Sequence, residues 1–172
     1  MDDEDEKTGV TRMFFDASGK PITCPAGTPV HWRVSSYGFL EDEDCRILLV
    51  VPTWSPLFEL PGGGLEIYET LDQGIRREVY EETGYRVRMA APLPLYVGES
   101  NFFLSAKSMF CHSVFHVYHC ELIHEERHSH VVNTFEDKNE IARVEWVAPS
   151  DLRRSNLHPM HHPLLDLLGR DD

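Results

Sequence analysis

The chain has 172 residues, 41% of them apolar and 26% charged, which is enough to bury a core of its own. Its net charge of -13 excludes broad, non-specific binding to DNA, RNA or anionic membrane, since such binding rests on an excess of Lys and Arg. The longest aliphatic run, residues 47–51, is far too short to span a bilayer, and Cys24, Cys45, Cys111 and Cys120 form no CxxC pair, so reduced thiols in a cytoplasmic protein are expected.

Residues 1–9 are acidic with no apolar core, which reads as a solvated tail and not as a signal peptide. Residues 10–172 are expected to form one mixed α/β domain. "MFFDASGKPI" predicts a hairpin around Ser18 and Gly19. Strands are predicted in "HWRVSSYGFL", "CRILLVV" and "LFEL", and the "PGGG" at 61–64 is expected to break regular structure as a loop. "ETLDQGIRREVYEETG" predicts a helix closed by Gly84. "YRVRMAAPLPLYV", "MFCHSVFHVYHCELI" and "IARVEWV" read as further strands, and "PSDLRRSNL" and "PLLDLLGR" as short closing helices.

On a helical wheel, Leu71, Ile75 and Val79 form the apolar stripe. Glu78 falls at its edge, Glu82 within its sector, and Glu81 just outside beside Arg77. A solvated, salt-bridged face accounts for Arg77 with Glu81 as an i,i+4 pair. It does not account for Glu78 and Glu82, like charges four apart at a helix end that already carries partial negative charge. A hard divalent cation such as Mg²⁺ resolves the conflict, because it takes carboxylate oxygens and keeps waters that a phosphate displaces.

These residues carry a resemblance. Gly63, five residues, Glu69, seven residues, then Arg77-Glu78-Val79-Tyr80-Glu81-Glu82-Thr83-Gly84 is similar to the signature of the Nudix hydrolases. Tyr68, Gly74 and Tyr85 depart from the usual pattern without removing a ligand. The resemblance implies an α/β/α sandwich with a mixed β-sheet and hydrolysis of the phosphoanhydride in a nucleoside diphosphate linked to another moiety. It implies Mg²⁺, with Mn²⁺ as a substitute, held by Glu78 and Glu82, by Glu81 directly or through water, and by the Gly62 carbonyl. Arg77 and Glu69 would pair and orient the ligands. The base is left open between a helix glutamate and Glu140 or Glu136, with Glu140 preferred. Homodimers are common among such relatives, so a homodimer is one possibility, and the sequence leaves the oligomeric state open.

Outside the signature, Phe102 and Phe103 sit in what reads as an insertion long enough for a lid that could stack on a nucleobase, although core packing is the simpler reading. Arg33 could reach a phosphate as a bidentate donor, or lie on the surface. Strand alternation in "CHSVFHVYHC" puts Cys111 and His119 on one face and His112, His116 and Cys120 on the other, which opposes a zinc site. "HEERHSH" reads as an exposed loop and "HPMHH" as a turn suited to a surface metal contact. Two other functions are weighed: a catalytically silent Nudix-fold nucleotide-binding module, opposed by the intact glutamates, and a prenyl diphosphate isomerase needing Cys111 or Cys120 as nucleophile.

Overall fold

The computed structural model describes residues 13–123 and 140–169. The expectations for 1–9, for 124–130 and for Glu136 lie outside the described residues. Strands β1 (Met13–Phe15) and β2 (Pro21–Thr23) form the expected hairpin. Its turn is tied by the Asp16 carboxylate, which accepts the Ser18 N–H at 2.8 Å and the Lys20 N–H at 3.0 Å.

Strand β3 (Val30–Phe39) is long, exposed at its start and buried at its end, so its last five residues are covered on both faces. β4 (Ile47–Pro52) is buried at every residue, as a continuous aliphatic run requires. The segment 57–60 is not a strand, since it makes only isolated bridges, Phe58 with Leu157 and Glu59 with Val50. The glycines instead form strand β5 (Gly62–Gly64), antiparallel to β3 with Tyr37 opposite Gly62. This corrects the expected loop. Glycine is a poor strand former, but here the ladder comes from a partner strand that local sequence does not display.

Helix α1 (Leu71–Thr83) starts at Thr70 with a capping box to Gln73 and ends at Gly84, whose φ of 74° is the left-handed closure that glycine permits. Ile75 and Val79 are fully buried, as the wheel requires. After β6 (Val87–Met89), β7 (Tyr96–Leu104) and β8 (Met109–Leu122) make a long hairpin closed by a 3₁₀ turn at Ser105–Lys107. Phe102 and Phe103 therefore lie in a paired strand, and the expected lid is not there. β9 (Ile141–Val147) pairs with β4 in a separate two-stranded sheet. The predicted closing helices reduce to a 3₁₀ turn at Pro149–Asp151 and helix α2 (His162–Leu167).

The main sheet runs β2-β1-β7-β8-β3-β5, with β6 also on β8. β3 with β8 and β1 with β7 are parallel and the other pairs antiparallel, so the sheet is mixed. Tyr37, Phe39, Phe115 and Val117 face Leu152, Leu157, Leu164 and Leu165 on one side. Tyr118 and Cys120 face Ile75 and Val79 of α1 on the other. Helices thus cover both faces of the sheet, the expected three-layer sandwich. "HPMHH" is no surface feature, because His158 and His161 are both buried in this packing.

Candidate active site

The site is built where β5 passes under α1. Gly62 has φ 147°, and a Cβ there would run into the Ser36 carbonyl oxygen and the Tyr37 ring, so only glycine fits. A Cβ on Gly63 would lie 2.8 Å from Oε1 of Glu78, which means that the Glu78 carboxylate rests directly on bare backbone. The Gly62 N–H donates to Oε2 of Glu82 at 2.8 Å. One short glycine strand therefore receives two of the helix carboxylates.

Arg77 ties the same pieces from the other side. Its Nε and one terminal nitrogen donate to the two oxygens of Glu69 at 2.6 and 2.8 Å, a bidentate pair, and that terminal nitrogen also reaches the Gly64 carbonyl at 3.2 Å. The other terminal nitrogen lies 2.9 Å from Glu78 and 3.3 Å from Glu81. Glu69 also accepts the Glu66 N–H at 2.9 Å. These bonds hold the Glu69 carboxyl down at about 2, against an ordinary 4.5.

Glu78 and Glu82 behave in the opposite way. Burial pushes both carboxyls up, and Glu78 adds its like charge to the rise at Glu82. Arg77 pulls Glu78 back down, while at Glu82 the restraint comes from the Gly62 N–H. Glu140, at the start of β9, adds further negative potential at Glu82. Its carbonyl accepts the Thr53 N–H at 2.8 Å, so the β4–β9 sheet delivers it to the site.

Glu59 is the residue that sequence reasoning missed. Two 2.9 Å backbone bonds to Val50 hold it beside β4, and burial raises its carboxyl to about 7. Its charge acts on both Glu82 and Tyr37. The available signal was a lone acid among Leu57, Phe58 and Leu60, just ahead of the glycines.

Glu78, Glu81 and Glu82 are an all-oxygen donor set, and two of them are desolvated carboxyls, with the charge of Glu78 opposing ionisation of Glu82, so the residues fit a hard divalent cation. Among the described residues, no group of three or more His, Cys, Asp or Glu side chains is gathered tightly enough to hold an ion as placed. Glu81 is turned to Arg77 and is the most exposed of the three.

Arg33 lies over Gly64, where its guanidinium occupies the space a Cβ would take, and its charge acts on Glu78. Its guanidinium carbon is 5.9 Å from the centre of the Phe102 ring. The structure brings Arg33 and Phe102 together at the site but not Phe103, which points to the other face of β7 and packs on Phe110 at 4.9 Å. Cys111 and Cys120 are buried and their thiols pushed up, that of Cys120 to about 12, which leaves neither as a nucleophilic thiolate near neutrality. His112 bonds Asn101 at 2.7 Å, a strand-packing role.

A family model for the NUDIX domain matches residues 31–168. The chain belongs to the Nudix family. The match runs from the start of β3 to the end of α2, so the β1–β2 hairpin lies ahead of the Nudix model. A MutT-like protein of Streptomyces ambofaciens is 46% identical over 77 residues, covering 45% of this chain and 47% of that one. The chain spans less than half the length of the curated relatives it matches. Among solved structures, a UDP-X diphosphatase aligns with a TM-score of 0.58 at 22% identity over 84% of this chain and 64% of that one. A MutT protein from Methanosarcina mazei Go1 aligns with a TM-score of 0.53 at 20% identity over 83% and 96%. At these identities the likeness is one of fold. The two tyrosine departures from the Nudix signature are also accounted for: Tyr68 projects into solvent, and Tyr85 packs on Trp146 and accepts its indole N–H at 3.4 Å.

Proposed function

We propose that this Nudix chain is a cytoplasmic hydrolase of the phosphoanhydride bond in a nucleoside diphosphate linked to another moiety. The observation that carries the reading is the pair of desolvated carboxylates, Glu78 and Glu82, seated on the glycine strand with too little positive charge around them. Glu78, Glu82, Glu81 and the Gly62 carbonyl would hold Mg²⁺ or Mn²⁺, which when bound neutralises diphosphate charge and acidifies a water.

The chain's own residues do the rest. Arg77 and Glu69 lock the β5–α1 connection so that the helix carboxylates stay in place without substrate. The Gly62 N–H orients the Glu82 carboxyl and offsets part of the rise that burial imposes on it. Glu140 takes the proton of the attacking water on its carboxylate, since it approaches Glu82 from a different element and stays exposed. Arg33 donates to a phosphate of the substrate, and Phe102 offers the adjoining ring to a base.

The test is product release from a panel of nucleoside triphosphates, nucleotide sugars, ADP-ribose and dinucleotides with Mg²⁺ or Mn²⁺, beside Glu82→Gln protein. Turnover of one substrate class that stops with EDTA and drops at least a hundredfold in the variant is expected. Absence of turnover with retained calorimetric binding of nucleotide would instead identify a catalytically silent binding module.

A further inference from the structure

Helix α1 covers only part of its face of the main sheet. Tyr118 and Cys120 of β8 lie under it, and a Cβ on Gly74 of the helix would lie 3.2 Å from the Ser36 hydroxyl on β3. Successive residues of a strand alternate faces, so Val34, Trp32 and Val30 continue the Ser36 side toward the start of β3. All three are exposed, Trp32 over 77% of its surface. An apolar sheet face is stable when a second layer lies on it.

We propose that two copies of the chain pair through this face, with Trp32 at the two-fold axis and the exposed tip of the β5–α1 loop beside it. The inference stands apart from the hydrolase reading.

Three observations carry it. The first is charge. Four cross-strand rows of β7, β8 and β3 make the face, from Phe103, Phe110 and Val30 at one end to Val97, His116 and Ser36 at the other. Glu99 is the one acid or base of fixed charge in them, and His112 stands 3.9 Å from its carboxylate. In a chain of net charge -13, two copies approach with least repulsion where acids are absent.

The second is self-complementarity. The exposed row on β3 reads Val-x-Trp-x-Val, the same from either end. A two-fold axis lying between the copies and crossing β3 at Trp32 sets Val30 of each against Val34 of the other, the reciprocal contact of an isologous interface. The Trp32 ring is held for that role: it stands perpendicular to the His112 ring at 4.6 Å, and His112 is fixed by a 2.7 Å bond to Asn101. Tryptophans of this kind dominate interface energies.

The third is the loop from β5 to α1, which extends the face past the edge of β3. The Leu65 N–H donates to the Val34 carbonyl at 3.0 Å, and Glu66 and Glu69 close the loop on each other with bonds of 2.9 and 3.0 Å. Ile67 and Tyr68 at its tip are 89% and 94% exposed. Apolar side chains on a pinned loop lose little backbone entropy when they are covered. Tyr68 is also a departure from the Nudix signature that the proposed chemistry leaves unused. Together with Val97, these side chains expose on the order of the 800 Å² that one partner brings to a standard interface.

The experiment is sedimentation velocity on the full chain from about 1 to 100 µM, a range that brackets a micromolar dissociation constant. A monomer–dimer equilibrium is expected. Trp32→Glu enters a two-fold interface twice and should raise the dissociation constant at least a hundredfold, and Tyr68→Asp should raise it at least tenfold. Leu167→Lys, at a half-exposed position of α2 over the opposite face, should leave it within twofold. The melting temperature should rise with concentration in the natural chain and stay constant in Trp32→Glu. If Trp32→Glu also lowers the melting temperature of the dilute protein, Tyr68→Asp decides, since its side chain touches solvent in the monomer. A monomer throughout the range, or a dimer undiminished by both substitutions, overturns the assignment, and so does a loss in Leu167→Lys equal to that in Trp32→Glu.

Discussion

Replacing Glu82 by Gln separates the residue's part in folding from its part in the proposed chemistry. The carboxyl is desolvated and faces Glu78, Glu59 and Glu140, so the neutral amide removes repulsion while it can still accept the Gly62 N–H. In EDTA at pH 8, Glu82→Gln is expected to melt a few degrees higher than the natural chain by calorimetry, at the scale of about 1 kcal/mol for a chain of this size. The same protein should lose turnover at least a hundredfold, which places the residue among those that trade stability for function. Glu69→Gln has the opposite sign. Its ionised form is held by Arg77, so the contribution is fully present above about 4.5, fades as pH falls through about 2, and is missing in the variant at pH 7. A lower melting temperature at pH 7, with the difference shrinking toward pH 2, is the expected scan. The signature carboxylates and Arg77 were legible in sequence because their spacing on one helix fixes who faces whom. Glu59 and the separation of Phe103 from Phe102 were not, because an isolated bridge to Val50 and the pairing of 102–103 into a hairpin strand, whose successive residues alternate faces, decide them.

At the scale of elements, the frame of the candidate site is β5 against α1, and its backbone tolerates little. Gly62→Ala forces a side chain into φ 147° against the Ser36 carbonyl, and it should cost about 2 kcal/mol or more in denaturant unfolding. It should also reduce kcat, since the N–H aimed at Glu82 moves. Thr70→Ala removes only a helix cap and should cost about 1 kcal/mol with kcat almost unchanged, a useful contrast. Helix α1 was legible to within two residues because cap, apolar period and closing glycine agree. The glycine strand was misread because its extended state is imposed by β3, and residues 57–60 were misread because a mostly apolar run formed only isolated bridges. The segment 152–156 looked helical from composition, but it is spent connecting Leu152 and Leu157, both fully buried, across the sheet face.

For the whole molecule, the pH dependence of stability is set by buried groups of opposite sense. Burial lowers His158 to about 4 and holds His161 well below 6.5, so the unfolded chain takes up protons that the folded one refuses, and stability falls as pH drops below 6.5. Glu59, raised to about 7, works the other way: the folded chain keeps a proton, and stability falls as pH climbs from about 4.5 to about 7. His161→Leu should therefore shrink the change in melting temperature between pH 7 and pH 5, and Glu59→Gln should raise it more at pH 8 than at pH 5. The parallel pairing of β3 with β8 has a consequence in time. Ser35 meets Phe115, and β4, β5, α1, β6 and β7 all lie between them in the chain. The frame of β5 and α1 can form from residues only 20 apart, Gly62 and Glu82, whereas the centre of the sheet must wait for a long loop to close. Helix α1 is then ready before the surface it rests on, and that loop closure is the step expected to set the folding rate.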